Sequence, residues 1–443
     1  EIIILIVFFV LVLFWAIGLD MKHCPDEDMR YLLPKYIYNH GKLPLPTESE
    51  VIHPTLKLTY AYYPFWLGAL VSAGFMRLFA IYGGVGKALL VAARLTSVLA
   101  GTLNSYFMIK ISKRLFKGIT KYFAIILGMF IPQLVFLSAY VNNDIISVLG
   151  TAMITLSWIR FIQDGASVKS SVIMAIGIII YELLYYFSYG HILMSILFIL
   201  LYYRKRANGK YDFKNMFKTA SLISIIVLVF ISFFFIRNLI VNHGSLFGYN
   251  TFVNQNRDNE EPVYTCKTLG ITIYFMIFKT RWLKYVAKSF ICCLSYMTLF
   301  TKEWVYVFYF VIAGIGVLGT TLKGILDREN SKKYILLYIC FPFCIIIPII
   351  LSTIFSYTVS YQPQGRYLYA IFVPLNIIVV SGFEYIIDFI FALFKKIRKN
   401  GDIRKIDLIN KIVKKIVFII LIIVILYVMF WLANKLLIDN MLS

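Results

Sequence analysis

Stretches of about twenty apolar residues recur along the whole 443-residue chain, and no other feature restricts its fold as severely. Wound as a helix, such a stretch crosses about 30 Å of hydrocarbon and satisfies its own backbone where no water can. The runs are continuous instead of alternating polar and apolar, which excludes a transmembrane β-barrel. With 60% hydrophobic residues and a mean hydropathy of +0.80, the chain lies well beyond ordinary soluble domains. It reads as an all-α integral membrane protein, a single unit over residues 1–443, with spans at 2–18, 88–109, 121–138, 145–162, 171–183, 190–203, 219–236, 304–322, 334–355, 367–392 and 416–434. That makes about eleven transmembrane helices. The pair 171–183 and 190–203 is short and broken around 182–190, as helices lining a cavity are.

The net charge of +22 does not point to nucleic acid, because Lys and Arg cluster in short loops between apolar runs. Residues 110–121, 204–218, 323–333 and 395–415 are such loops, and the positive-inside rule makes them cytoplasmic. Segments 19–57, 139–144, 237–288 and 356–366 then fall outside, with the N-terminus inside and the C-terminus outside. The first extracytoplasmic loop runs over 19–87 and a second large one over 237–303, where the apolar stretch 269–278 predicts short surface helices. Thr55 to Tyr82 is laid in the outer interface, with Tyr60, Tyr62, Tyr63 and Trp66 as its aromatic anchor. The first apolar run lacks a small-residue cleavage site and is expected to be a retained helix. Of six scattered Cys, Cys292, Cys293, Cys340 and Cys344 lie in or beside apolar segments and read as small hydrophobes, while Cys24 and Cys266 fall in outer loops, a placement that admits a disulfide.

The densest cluster of carboxylates follows the first span, in HCPDEDMRYLLPKYIYNHGKLP (residues 23–44). Asp26, Glu27 and Asp28 open an amphipathic helix, with Tyr31, Leu32, Tyr36 and Ile37 toward the membrane. Acids in a first turn suit the helix dipole, yet three further signals fall on the same outer face. Val141-Asn142-Asn143-Asp144 occupies the next outward loop, Arg237-Asn238 ends a span, and Tyr361-Gln362-Pro363-Gln364-Gly365-Arg366-Tyr367-Leu368 begins another. His53-Pro54 opens the interfacial stretch. Arginine matches phosphate bidentately and a carboxylate can take a proton from a hydroxyl, so the set describes a transferase with a lipid phosphate as leaving group.

Pro25-Asp26-Glu27 with Arg30-Tyr31, the His53-Pro54 helix, Asn142-Asn143-Asp144 and Gln364-Gly365-Arg366-Tyr367-Leu368 together resemble the GT-C superfamily of membrane glycosyltransferases, which includes protein O-mannosyltransferases and bacterial aminoarabinose transferases. Arg237-Asn238 and Lys288-Ser289-Phe290 ahead of Trp304-Val305-Tyr306 look closer still to a poorly characterised bacterial group within it. The resemblance runs from Ile2 to about Ile390, carried by the order and spacing of the motifs.

The resemblance implies a GT-C fold with juxtamembrane helices in the first outer loop and an active site at the extracytoplasmic surface of the cell membrane. It implies a polyprenyl-phosphate-linked sugar as donor and an acceptor that is a glycan, teichoic acid, lipid or protein. The family's catalytic acid falls on Asp26, with Glu27 beside it and Asp28 as a departure from the pattern. Arg366 and Arg237 would stabilise the departing phosphate; Asp144, Asn143, His53, Gln364 and Tyr367 complete the expected substrate-binding set. No cofactor and no metal are expected, although some members use a divalent ion at these acids. The rival readings are a polysaccharide polymerase or ligase, and a flippase. A flippase would need mid-membrane ionisable groups, for which Glu182, Glu384 and Asp388 are the candidates.

Overall fold

The computed structural model describes residues 1–183, 189–206, 209–248, 251, 265–327, 332–397 and 403–441. Helix α1 (Ile2–Gly18) leads into α2 (Glu27–His40) and α3 (Leu67–Ile81), followed by α4 (Lys87–Leu115), α5 (Gly118–Leu127), α6 (Pro132–Leu137), α7 (Asp144–Asp164), α8 (Val168–Glu182), α9 (Tyr189–Arg206) and α10 (Phe213–Val241). Then come α11 (Ile273–Phe278), α12 (Trp282–Ile291), a hairpin of β1 (Cys293–Leu294) and β2 (Leu299–Phe300), α13 (Glu303–Leu326) and α14 (Ile335–Thr358). A 3-10 turn, Gly365–Ile371, precedes α15 (Phe372–Ile397), and α16 (Ile403–Tyr427) and α17 (Asn434–Met441) close the chain. The hairpin is antiparallel, Cys293 opposite Phe300.

Among the described residues seven helical stretches are long and apolar enough to cross a membrane, and α1, α3, α5 and α9 are shorter apolar helices. The protein is a multi-pass membrane protein. Its innermost long helix is α7, 89% buried over its apolar window, and its outermost is α10, 17% buried. Tight helix pairing depends on small residues: a Cβ on Gly382 would lie 1.7 Å from the Gly316 carbonyl oxygen, so α13 and α15 touch backbone to backbone.

The ends of the bundle differ. At one end Glu1 accepts from Lys113 at 2.9 Å and Lys121 at 3.0 Å, Arg114 pairs with Asp164 at 2.8 Å, and Lys414 meets Asp388 at 2.6 Å. This is the end of the basic loops, where Asp388 and Glu384 serve as local counter-ions. The acids of the first loop lie at the opposite end.

Several expectations are corrected. The segment 121–138 is not one helix: α5 stops at Leu127 and α6 restarts at Pro132, which has no N–H to continue the ladder and suits a first helical position. Helix α10 extends through Val241, so Arg237 sits inside a helix instead of starting a loop. Trp66 and Tyr63 are buried and form no interfacial belt; Trp66 packs with Leu33, Tyr36, Ile37 and Ala73 between α2 and α3. Tyr36 and Ile37 therefore face α3, not lipid. Helix α3 has 15 residues, fewer than the roughly 20 that span a bilayer. Cys24 and Cys266 are free thiols buried in separate clusters. The break foreseen at 182–190 largely lies outside the described residues; α8 ends at Glu182 and α9 starts at Tyr189.

Candidate active site

Pro25 and the tight turn before α2 put Asp26 at the helix N-cap in the left-handed region, φ 59° and ψ 9°. Asp and Asn tolerate this conformation best among residues with a side chain. The turn aims the Asp26 carboxylate away from its own helix and toward the 3-10 turn before α15. There Arg366 Nη2 donates to Asp26 Oδ2 at 2.5 Å. Arg366 also donates through Nε to Gln364 Oε1 (2.6 Å), through Nη1 to the Pro25 carbonyl (3.4 Å) and through Nη2 to the Tyr367 hydroxyl (3.2 Å). Tyr367 in turn donates to Gln362 Oε1. The Arg366 side chain is 1% exposed and that of Asp26 34%, so the pair is open on the carboxylate's side only. Burial pushes the Asp26 carboxyl up, but the charges of Arg366 and Arg30 and the Arg366 hydrogen bond outweigh it and hold the group below the usual aspartate range.

The Arg366 turn is held from behind. Ser289 Oγ accepts from the Gly365 N–H at 2.7 Å, and a Cβ on Gly365 would lie 2.3 Å from the Phe290 nitrogen, so only glycine lets the turn approach α12. Tyr369 donates to the Phe290 carbonyl at 2.7 Å.

A second carboxylate enters from α7. Asp144 is 1% exposed, and neither of its oxygens has a hydrogen-bond partner among the described residues. Its cationic neighbours are Arg366 and Arg30. Arg30, one turn after Asp26 on α2, lies with its guanidinium 4.9 Å from the centre of the Tyr60 ring. Burial works against its charge, but Tyr60, Asp144 and Asp26 together hold it above the ordinary guanidinium range. The Tyr140 hydroxyl, buried close by, has no partner among the described residues. Two carboxylates, two arginines and three tyrosines thus meet at one end of the bundle.

No family model and no curated protein sequence matches the chain. Among solved structures it is similar to ArnT from Cupriavidus metallidurans in the apo state, with a TM-score of 0.53 and 14% identity over 99% of this chain and 73% of that one. It is similar also to the archaeal oligosaccharyltransferase AglB from Archaeoglobus fulgidus in complex with an inhibitory peptide and a dolichol-phosphate. That match has a TM-score of 0.51 and 12% identity, over 94% of this chain and 55% of the longer AglB chain. The chain has the GT-C fold. At such identities the fold is what is shared.

Within this GT-C fold the expected site residues separate. Asp26, Asp144, Arg366, Gln364 and Tyr367 come together. Glu27 does not join them: it is fully buried, pairs with Arg94 Nε at 2.8 Å and Nη2 at 2.5 Å, and accepts from the Val141 N–H at 2.7 Å. Arg94 also donates to the Ala16 and Leu19 carbonyls at 2.8 and 2.7 Å. The pair fastens α1, α2, α4 and the loop before Asp144. Asp28 and His53 pair with each other beside the site, Nε2 to Oδ2 at 3.2 Å. His53 Nδ1 accepts the Thr55 and Leu56 N–H groups at 3.3 and 3.1 Å, which leaves the proton on Nε2. Arg237 also stands apart, donating to the Pro44 carbonyl at 2.5 Å with its guanidinium 4.9 Å from the Trp66 ring.

Asn143 is the N-cap residue of α7 without a side-chain cap, and Asn142 does the capping, accepting from the Ile145 N–H at 3.1 Å. Sequence reasoning missed Arg94 altogether, and it named Arg30 and Asn142 within their motifs without giving either a role. Arg94 carried a signal, since an arginine inside an apolar span needs a buried partner.

Proposed function

We propose that this protein is an inverting glycosyltransferase that moves a sugar from a polyprenyl-phosphate donor to a hydroxyl acceptor on the extracytoplasmic face of the cell membrane. The reading is carried by one observation: a carboxylate, Asp26, fixed by a buried arginine and close to a second, unpartnered carboxylate at the end of the bundle away from the basic loops. The dolichol-phosphate and the inhibitory peptide bound by AglB, whose fold this chain shares, support a lipid-phosphate donor and a separate acceptor.

In this mechanism the acceptor hydroxyl attacks the anomeric carbon opposite the phosphate. The new C–O bond forms, the bond from carbon to phosphate oxygen breaks, Asp26 takes the hydroxyl proton, and polyprenyl phosphate departs with the electron pair. The negative charge of Asp26 also favours the positive character that develops on the ring. Asp144 orients hydroxyls of donor or acceptor, and the site's arginines balance the phosphate. The reading includes no metal, since a leaving monophosphate can be neutralised by guanidinium groups alone.

The test is donor consumption in nanodiscs with a panel of polyprenyl-phosphate sugars. Wild type is expected to consume at least one donor and Asp26→Asn to lose about 10²-fold or more. A folded wild type that consumes none, across hexosyl and pentosyl donors and in the presence of a cell-envelope extract as acceptor, would overturn the reading.

A further inference from the structure

The two arginines of the site are engaged very differently. All three guanidinium nitrogens of Arg366 donate to protein groups: Gln364, Pro25, and Asp26 with Tyr367. A guanidinium has five N–H donors in a rigid fork, so Arg366 has little left for a ligand. No described protein group accepts from the side chain of Arg30, and its Nε is buried without a partner. The contact that locates Arg30 is with the face of Tyr60, 4.9 Å from the guanidinium carbon to the ring centre, and no described group accepts from its N–H edge. Asp144 is similarly unpartnered, so the two groups share the site without a hydrogen bond between them. Buried donors and carboxylates left this way are costly unless something else satisfies them.

From this we infer that Arg30 is the residue that grips the donor's monophosphate, while Arg366 acts as a positioning residue that holds Asp26. The inference rests on the transferase reading above and adds the cation that receives the phosphate. Phosphate offers several anionic acceptor oxygens to the unused edge of Arg30, and binding there is bidentate and charge-assisted. The geometry also separates base from leaving group. Arg30 N–H donates to the Asp26 carbonyl at 2.9 Å, so the backbones of the two residues lie one helical turn, about 6 Å, apart at the start of α2, and their side chains leave from separate points. A sugar lying between them would present one face of its anomeric carbon to Asp26 and the other to the phosphate held by Arg30, as inversion requires.

The experiment measures binding of undecaprenyl phosphate to the full chain in nanodiscs. Undecaprenol serves as the phosphate-free lipid and inorganic phosphate as the lipid-free anion. Variants are Arg30→Gln, Arg30→Lys and Arg366→Gln, each shown to be folded by its thermal transition. Arg30→Gln is expected to weaken undecaprenyl phosphate about tenfold to a hundredfold, with Arg30→Lys recovering part of the loss and undecaprenol binding unchanged. Inorganic phosphate should bind more weakly but with the same dependence on Arg30. Arg366→Gln should keep undecaprenyl phosphate within about threefold while transfer collapses. If wild type prefers undecaprenyl phosphate to undecaprenol and Arg30→Gln does so equally, or if Arg366→Gln loses binding where Arg30→Gln does not, the inference is overturned and the transferase reading stands. If wild type does not distinguish the two lipids, both fall.

Discussion

Asp26 and Glu27 are adjacent in sequence, and each meets an arginine with a 2.5 Å contact, yet the two pairs have opposite surroundings. Glu27 and Arg94 are both 0% exposed, and between them they use carbonyls of α1 and the N–H of Val141. Asp26 keeps about a third of its side chain open and shares its space with an unpartnered Asp144. The difference is produced by one left-handed residue: Asp26 leaves the helix before it begins, while Glu27 turns inward with the first helical turn. An ion pair closed on every side holds a structure together. One left open on its anionic side can act on something else.

Breaking the closed pair should have the largest effect on the molecule itself. Removing either partner alone strands a buried charge, so Arg94→Met or Glu27→Gln is expected to destabilise the fold by about 3–5 kcal/mol. The double variant should recover much of that loss, because two stranded charges are replaced by none. Thermal unfolding of detergent-purified protein checks this. A double variant no more stable than either single one would mean that the pair's hydrogen bonds to Ala16, Leu19 and Val141 matter more than its charge.

The open pair should reveal itself through pH. The Asp26 carboxyl is depressed, so it stays ionised above its own low value. The stability gained from its pair is present above the unfolded value near about 3.9 and is lost only as pH falls through the lower folded one. Transfer in wild type is therefore expected to show no acid limb from Asp26 above about pH 5. In Arg366→Gln the lowering charge is gone and burial remains, so the limb should move to higher pH. An unchanged profile in that variant would show that Arg366 does not govern the ionisation of Asp26.

The smallest effect is expected from the third acid. Asp28 is 41% exposed and its His53 partner 13%, a pairing near the surface that contributes less than about 1 kcal/mol. Asp28→Asn and His53→Ala should change transfer by no more than about threefold. A collapse in either would put Asp28, and not Asp26, at the reacting carbon.

The membrane class and most span positions were legible because a continuous apolar run has few ways to exist in lipid. The acids after the first span and the arginine in Gln364-Gly365-Arg366 were legible because charge is conspicuous in a chain this apolar. Which carboxylate does what was not legible. Neighbours on a regular helix point about 100° apart, which does not say which of Asp26 and Glu27 faces the site; the positive φ that takes Asp26 out of the helix decides it. Arg237 was misplaced because a span's end cannot be read to within one turn, and α10 runs four residues past it. Arg30 and Arg94 were overlooked for different reasons. Arg30 was noticed only as part of the motif that follows Asp26 and was given no role, and Arg94 was hidden within a span counted as apolar. The break between α5 and α6 had a local signal in Pro132 that the surrounding hydropathy overrode.

The most direct test of the account compares Asp26→Asn with Glu27→Gln in a single assay: turnover of a polyprenyl-phosphate sugar per folded molecule, with the folded fraction taken from the thermal transition. Asp26→Asn is expected to be folded and to lose about 10²-fold or more in turnover, whereas Glu27→Gln is expected to lose folded protein while the molecules that remain turn over within about tenfold of wild type. Equal turnover losses per folded molecule in both variants, or full activity in Asp26→Asn, would contradict this.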